Sequence, residues 1–346
     1  MRHTRIAAVF THACAAALAA TALAACGSSD SAVSHGGVTT LRYQGWTDQV
    51  TNAELADALG FFGGRIKLDW IGNTISGPQD IQAAATGQTD FGGAFAGAVA
   101  KLASAGAPIT AVVDDGGADD QTFAGYYVLD SSSIHTAADL VGKKVGVNTL
   151  GGQNEADIHD ALKKAGLTLA QIKSVQLVPL PPPNTEDALR KGQIDVAALQ
   201  GGQFQQRALA DGGIRPVFTE LEQYGPFNGS EYVVRNDLIA ENPAAVTAFA
   251  TGVAKAIEWQ RTTPVDQVIA EFAKIINARH RPNEDTSTLK YWRSVGIPAR
   301  YGAISDIDFT RWQSWLQDTG AISGPLQPSK FYTNRFNSLA VGANGG

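Results

Sequence analysis

The sequence predicts an α/β fold of two lobes, each a mostly parallel sheet flanked by helices. Short apolar segments alternate with helical patterns along most of the chain, which is typical of βαβ units in a parallel sheet. This alternation starts again after residue 129, which indicates a second unit inserted into the first. The chain has 346 residues, 44% hydrophobic and 17% charged, a length and composition that suit two globular lobes.

The first unit is marked by glycine and proline at the expected element ends. Gly60 ends the first helical pattern, and Ser76-Gly77-Pro78 begins the second with proline in its first turn. The elements expected in order are a strand at 41–43, a helix over 52–59, a strand over 66–71, a helix from 77, a strand-to-helix turn at 90–93, a strand over 108–113 and a strand over 125–129.

The second unit repeats the same alternation. We expect strands at 145–147, 175–180, 196–199 and 217–218, and helices over 156–165, 185–191 and 203–210. After residue 224 the pattern is mostly helical, with apolar stripes that indicate core faces. We therefore predict that 38–128 and 224–346 form lobe 1 and that 129–223 form lobe 2, with two connecting segments as a hinge.

The N-terminus indicates export. Arg2 and Arg5 precede an apolar run over 6–22, and Leu23-Ala24-Ala25-Cys26 follows, which predicts a signal peptide over 1–25. The sequence around Cys26 resembles a bacterial lipobox, which implies a lipidated Cys26, a Gly/Ser-rich tether over 26–37 and anchoring at the extracytoplasmic face of the cell membrane. The alternative is an ordinary cleaved signal with Cys26 just inside the product.

Composition argues against several function classes. The net charge is −6 and no basic stripe occurs, so we expect no nucleic-acid partner. Removing Cys14 with the signal leaves no thiol beyond Cys26, and no His-Glu-x-x-His or Gly-x-Ser-x-Gly motif occurs, so we expect no catalytic residues, metal or cofactor. The acidic segment 113–120 lacks EF-hand spacing, and we expect it to be a solvated loop.

Residues 140–166 join a strand, a glycine turn and a helix start. Gly151-Gly152 are followed by Gln153-Asn154, which differs from a Walker loop and from a Rossmann fingerprint. Free backbone N–H groups at such a helix start favour a polar or anionic group. The alternative is a tight turn that holds no ligand.

Four segments carry a resemblance to a known family. They are 41–62 (LRYQGW to LGFF), 76–94 (SGPQDIQAAATGQTDFGGA), 136–167 (TAADLVGKKVGV onwards) and 186–200 (EDALRKGQIDVAALQ). In this order they resemble the substrate-binding proteins of ABC importers for nitrate, sulfonates and taurine, a family that includes thiamine-precursor binders. The resemblance implies the two-lobed type II periplasmic-binding-protein clamshell, capture of a small solute, and a membrane permease as partner.

We expect the solute between the lobes, at the turns that follow the strands. These turns are rich in amides, hydroxyls, glycines and aromatic rings, which suits a small enclosed ligand. Trp46 and Phe95 are equally compatible with a core role, and Phe204 is expected in the core. The predicted ligand-binding residues are Gln44, Trp46, Ser76, Gly77, Gly93, Ala94, Phe95, Thr149, Gly151, Gly152, Gln153, Asn154, Gln200 and Gln203.

Two of these turns depart from the family pattern. Gln200 to Phe204 replaces a Trp-Asp/Glu-Pro motif, and Gly93-Ala94-Phe95 replaces Thr-Gly-Asp. We predict a monomeric binder of a sulfonate, nitrate or taurine-like solute. The absence of Arg and Lys in the turns keeps a neutral or cationic heterocycle open, particularly if an aspartate of 113–120 faces the cleft. A pyrimidine-precursor synthase is the enzyme alternative on this fold. Asn228 and Glu231 are close enough in sequence to the return to lobe 1 to reach the cleft, but a surface role is expected.

Overall fold

The structure is a computed structural model that describes residues 34–35 and 37–343. The predicted signal peptide, Cys26 and most of the predicted tether lie outside the described residues. Within 34–35 and 37–343, no helix is both long enough and apolar enough to cross a bilayer.

Eleven strands are described, and they form three sheets with the orders β1-β2-β3, β4-β11-β5 and β10-β6-β9-β7-β8. Their bounds are β1 Ser34–His35, β2 Val38–Gly45, β3 Ile66–Asn73, β4 Phe91–Phe95, β5 Ile109–Ala118, β6 Gly125–Leu129, β7 Lys144–Val147, β8 Gln176–Pro179, β9 Val196–Leu199, β10 Ile214–Thr219 and β11 Phe227–Arg235.

Fourteen α-helices are described between and after these strands. Their bounds are α1 Asn52–Ala58, α2 Gly77–Ala85, α3 Ala96–Ser104, α4 Gln153–Lys164, α5 Leu169–Ile172, α6 Pro182–Arg190, α7 Gln203–Asp211, α8 Glu220–Tyr224, α9 Asn236–Glu241, α10 Pro243–Thr262, α11 Val265–Arg279, α12 Asp306–Thr310, α13 Gln313–Asp318 and α14 Ser338–Ala343. Short 3₁₀ turns cover Ala137–Leu140, Leu289–Tyr291, Arg300–Gly302 and Pro328–Lys330.

The first lobe contains the two three-stranded sheets. Strands β2 and β3 are parallel, whereas β11 lies between β4 and β5 and is antiparallel to both. Strand β11 was not predicted, because the sequence pattern after residue 224 is mostly helical. The strand returns the chain to the first lobe, and its ring contacts with Phe91 and Phe249 through Tyr232 tie the sheet to α10.

The second lobe contains the five-stranded sheet. Strand β7 is parallel to β8 and to β9, as a βαβ pattern predicts, whereas β6 is antiparallel to β9 and β10. Strand β6 (125–129) was predicted to end lobe 1, but its pairing places it in the second sheet. The two chain crossings therefore run over 119–124 and 220–226, and the predicted boundary at 128 lies too late in the sequence.

Helix α4 of the second lobe also contacts α13 of the first lobe. His159 lies between two carboxylates, with Nδ1 2.9 Å from Asp160 and Nε2 3.0 Å from Asp318. Lys163 of the same helix contacts Asp318 and donates to the Ser314 hydroxyl at 2.8 Å. His159 is buried, because α13 covers this face of α4.

Candidate solute-binding cleft

A cavity of about 210 Å³ lies between the two lobes, and we call it the cleft. It sits where strands of both lobes end and helices begin, the position at which α/β sheets bind ligands. Its first-lobe wall includes Trp46, Gly77, Gly93, Ala94, Phe95 and Asp115. Its second-lobe wall includes Asn148, Gly152, Gln153, Asn154 and Gln200, and Glu220 of the second chain crossing also lines it.

A second cavity of about 270 Å³ adjoins the cleft and shares Trp46, Asp115 and Gly201 with it. This adjoining cavity extends the open space toward Gln203 and Phe204 of the second lobe. Phe204 was expected in the core, but it is only half-buried and forms part of this wall. The two cavities together form one inter-lobe space.

Most of the predicted ligand-binding residues come together in this space. The residues that line the cleft are Trp46, Gly77, Gly93, Ala94, Phe95, Gly152, Gln153, Asn154 and Gln200, and Gln203 lines the adjoining cavity. Phe95 also packs in the apolar core of the first lobe, so its two interpretations are compatible. Whether these residues contact a solute stays a prediction.

Four predicted residues line neither the cleft nor the adjoining cavity. The Ser76 hydroxyl accepts from the Gln79 N–H and so caps α2, and the Gly151 N–H donates to the Glu155 carboxylate at 2.8 Å. The Thr149 hydroxyl donates to the Leu150 carbonyl at 3.4 Å. Gln44 lies on β2 beside β3. The groups of Ser76, Thr149 and Gly151 thus serve their local turns instead of facing the open space.

Two glycines let the first-lobe wall come close to the space. A methyl group at Gly77 would lie 2.9 Å from the Cα of Ala94, so α2 packs directly against β4. A methyl group at Gly93 would lie 2.4 Å from Oδ2 of Asp115. Larger side chains at these two positions would have to displace a backbone atom or a carboxylate.

Helix α4 presents its N-terminus to the cleft. Its N-cap is Gly152, and no side chain caps the first turn. Gly152, Gln153 and Asn154 all line the space, so a polar or anionic group can reach the backbone N–H groups there. The Gln153 amide donates to Oε2 of Glu220 at 2.6 Å and thereby joins α4 to the second chain crossing.

Gln203 is already engaged across the lobes. Its Nε2 donates to the carbonyl oxygen of Asp48 in the first lobe at 2.6 Å. The side chain was predicted to bind the solute, but its amide N–H in this structure holds the two lobes together at the edge of the adjoining cavity.

Two acidic side chains in the cleft were not among the predicted site residues. Asp115 comes near the end of β5, which extends through a segment that was expected to be a solvated loop. Glu220 begins α8 and is buried, and it accepts from the Ala124 N–H and the Gln153 amide. Asp115 was not predicted as a site residue because the acidic segment was expected to be a loop. Its pairing with Phe227 to Glu231 of β11 keeps it in a strand.

Burial raises the pKa of both carboxyls. The pKa of Asp115 rises to about 6, although the Tyr232 hydroxyl and the Asn52 amide partly oppose the rise. The pKa of Glu220 rises to about 7, opposed by its hydrogen bonds from Ala124 and Gln153 and by the charge of Arg311. The lining side chains of the cleft, all within the described residues, include no Lys, Arg or His.

More carboxyls are buried in the first lobe next to the cleft. Asp114 and Glu231 are directly paired across β5 and β11, and both are fully buried. Glu231 was expected at the surface, but β11 is the central strand of its sheet and α12 covers it. Asn228 is also buried, where its amide donates to the Ala303 carbonyl.

The comparisons with known proteins identify the family. The family model described as NMT1/THI5 like matches residues 49–267, which is more than half of the chain. The chain belongs to the NMT1/THI5-like family. A Brucella abortus protein, named as a candidate binding protein, is 28% identical to this NMT1/THI5-like protein over 271 residues, which cover 74% of this chain and 78% of the relative.

Solved structures show the same fold at lower identity. The periplasmic aliphatic sulphonate binding protein SsuA of Escherichia coli has a TM-score of 0.63 and 20% identity, covering 84% of this chain and 91% of its own. The periplasmic nitrate-binding protein NrtA of Synechocystis has a TM-score of 0.65 and 14% identity, covering 89% of each chain. The desulfurization enzyme DSZB has a TM-score of 0.56 and 17% identity, covering 88% and 99%. This NMT1/THI5-like protein therefore has the two-lobed fold of periplasmic binding proteins.

Proposed function

We propose that this NMT1/THI5-like protein is an extracytoplasmic solute-binding protein of an ABC importer. It captures one small organic solute between its lobes and delivers it to a membrane permease. The observation that carries this proposal is the cleft itself, which is lined from both lobes at strand ends and helix starts. A solute that contacts both walls favours the closed arrangement, because a ligand shifts such an equilibrium only by its differential affinity.

The cleft suits a small solute with an anionic head. Its volume of about 210 Å³ is smaller than that of a drug-sized site. The uncapped N-terminus of α4 supplies backbone N–H groups and the positive end of a helix dipole, which favour a sulfonate, nitrate or taurine-like head. The sulfonate and nitrate binders of the same fold support this assignment as a proposal.

A screen by thermal shift tests the function. We expect at least one solute among sulfonates, nitrate, taurine, thiamine precursors and other small heterocycles to raise the melting temperature of the purified protein. The solute should be recovered unchanged from the complex, which separates a binder from an enzyme on the same fold. Conversion of the solute, or no stabilisation by any compound, would contradict the proposal.

We also propose that Cys26 carries the lipid that anchors the protein at the extracytoplasmic face of the cell membrane. We expect Cys26→Ser to move the protein from the membrane fraction to the soluble fraction, because a serine hydroxyl cannot form the thioether. Solute affinity should stay within about twofold, since a surface anchor lies outside the cleft. Fractionation before and after the change measures the effect, and unchanged membrane retention would refute the anchor.

A further inference from the structure

We infer that Asp115 binds a cationic group of the solute, so that the natural ligand carries an ammonium or amidinium group as well as its anionic head. This inference rests on the proposed solute-binding function and narrows it to a zwitterionic class of ligand. Asp115 would be the residue that distinguishes such a solute from a plain anion.

The position of Asp115 supports this role. It lines both the cleft and the adjoining cavity, so it lies at the junction of the inter-lobe space. Its Oδ2 lies against Gly93, another lining residue, and Gly116 and Gly117 beyond it have no side chain that could cover it. The Asn52 amide donates to its main-chain oxygen at 3.0 Å and fixes the backbone there.

No positively charged side chain of the described residues is among the groups that stabilise the ionised Asp115 carboxylate, so a cationic group of the solute can balance its charge. The groups that stabilise its ionised form are the Tyr232 hydroxyl and the Asn52 amide, both of them neutral. Glu220, by contrast, accepts two hydrogen bonds, and the positive charge of Arg311 also stabilises its ionised form. A carboxylate partly withdrawn from water gains much from a cationic partner, because the attraction grows as the local dielectric constant falls.

A plain anion would meet an unfavourable field in the same space. Asp115 and Glu220 both line the cleft, and no cationic side chain in the part of the chain that the structure describes lines it with them. The N-terminus of α4 favours an anion at the second-lobe wall, while Asp115 lies on the first-lobe wall. A solute with both charges matches the two walls and connects the lobes.

The test compares two probes of nearly equal size, 2-aminoethanesulfonate and 2-hydroxyethanesulfonate, by calorimetric titration of the purified protein. They differ in one ammonium group. We expect the wild type to bind the amino compound at least about tenfold more tightly, since a site built for a charged donor rejects an analogue that lacks it. Asp115→Asn should reduce this preference to within about twofold.

Asp120→Asn is the matched control. Asp120 lies five positions further along the same acidic segment and is exposed, so the variant removes the same charge without changing the cleft. It should keep the wild-type preference. Asp115→Ser is a second variant in case the amide does not fold, and it too should lose the preference. An equal or reversed preference in the wild type, or an unchanged preference in Asp115→Asn, overturns the inference.

The thermal-shift screen distinguishes a failure of the proposed Asp115 role from a failure of the proposed solute-binding function. If neither probe binds, the tightest solute from the thermal-shift screen decides. A tightest solute without a cationic group overturns the role of Asp115 and leaves the solute-binding function standing. If the tightest solute does carry a cationic group, the role of Asp115 is supported when Asp115→Asn lowers the affinity for that solute more than Asp120→Asn does, and it is overturned when it does not. If no solute binds, the proposed function fails, and the inference fails with it.

Discussion

Trp46→Ala should weaken solute binding by roughly 30- to 150-fold, equivalent to about 2–3 kcal/mol, the range expected for an aromatic anchor at the centre of a binding site. Trp46 lines the cleft and the adjoining cavity. It also lines a smaller cavity of about 90 Å³ with Pro182, Thr185 and Phe204 of the second lobe. The ring therefore contributes to the walls on which a bound solute would close.

The matched control for this change is Trp70→Ala. Trp70 lies on β3, is about one-third exposed, and packs under Arg281 with its Nε1 donating to Asn73. It lines neither the cleft nor the adjoining cavity, so affinity should stay within about twofold. Calorimetry with the solute found by the thermal-shift screen measures both variants. Equal losses in both, or no loss in Trp46→Ala, would show that the pocket assignment is wrong.

The protein should be markedly less stable at pH 8 than at pH 5. Burial raises the pKa of Asp80 to about 8 and that of Glu220 to about 7, and it raises the pKa of Glu231 well above its usual range. Each carboxyl therefore keeps its proton to a higher pH in the folded chain than in the unfolded chain. The stabilisation is complete below about pH 4 and is lost as the pH rises through the folded-state values.

The expected size of this effect is large for a single group. A pKa rise of the size found for Glu220 lowers the free energy of unfolding by about 3 kcal/mol between acidic and neutral pH, because one pKa unit corresponds to about 1.4 kcal/mol. For a chain of this length the melting temperature should then fall by roughly 5–10 °C from pH 5 to pH 8. Thermal unfolding followed by circular dichroism across this range measures the fall.

Glu231→Gln identifies one source of the dependence. The charged groups that face Glu231 are Asp114, Asp115 and Asp308, and all three raise its pKa. An amide of the same shape carries no proton to lose, so the variant should show a smaller fall and a higher melting temperature at pH 8. Glu241→Gln, an exposed position on α9, should reproduce the wild-type curve. A wild type that melts higher at pH 8 than at pH 5 would contradict the assignment.

The local pattern predicted the parts of the fold that depend on neighbours in sequence. Helix α4 follows the glycine turn at Gly151-Gly152, and β7, β8 and β9 form the expected parallel set. Strand β11 was missed because the first half of FNGSEYVVR holds Asn, Gly and Glu, which are depleted in strands. Its role as a central strand depends on β4 and β5, which lie far away in sequence.

The site residues divide in the same way, into those that their neighbours in sequence predict and those that only distant segments bring to the cleft. Trp46, Gly77, Gly93 and Gln153 were predicted from their turns, and they all line the cleft. Glu220 carried no local signal, and Asp115 was only one of several aspartates of 113–120 that were left open to face the cleft, because acidic residues in a Gly-rich segment or at a helix start are usually solvated. Their burial comes from the pairing of β5 with β11 and from the packing of α8 against α4.

The sequence by itself determined the α/β character, the glycine turns that border the cleft and the resemblance that places the chain in its family. Only the tertiary structure decided which acidic side chains line the cleft and which carboxyls lose contact with water. The physical reason is that periodicity and turn chemistry act over a few residues, whereas desolvation and charge pairing depend on segments that meet only after both lobes have folded.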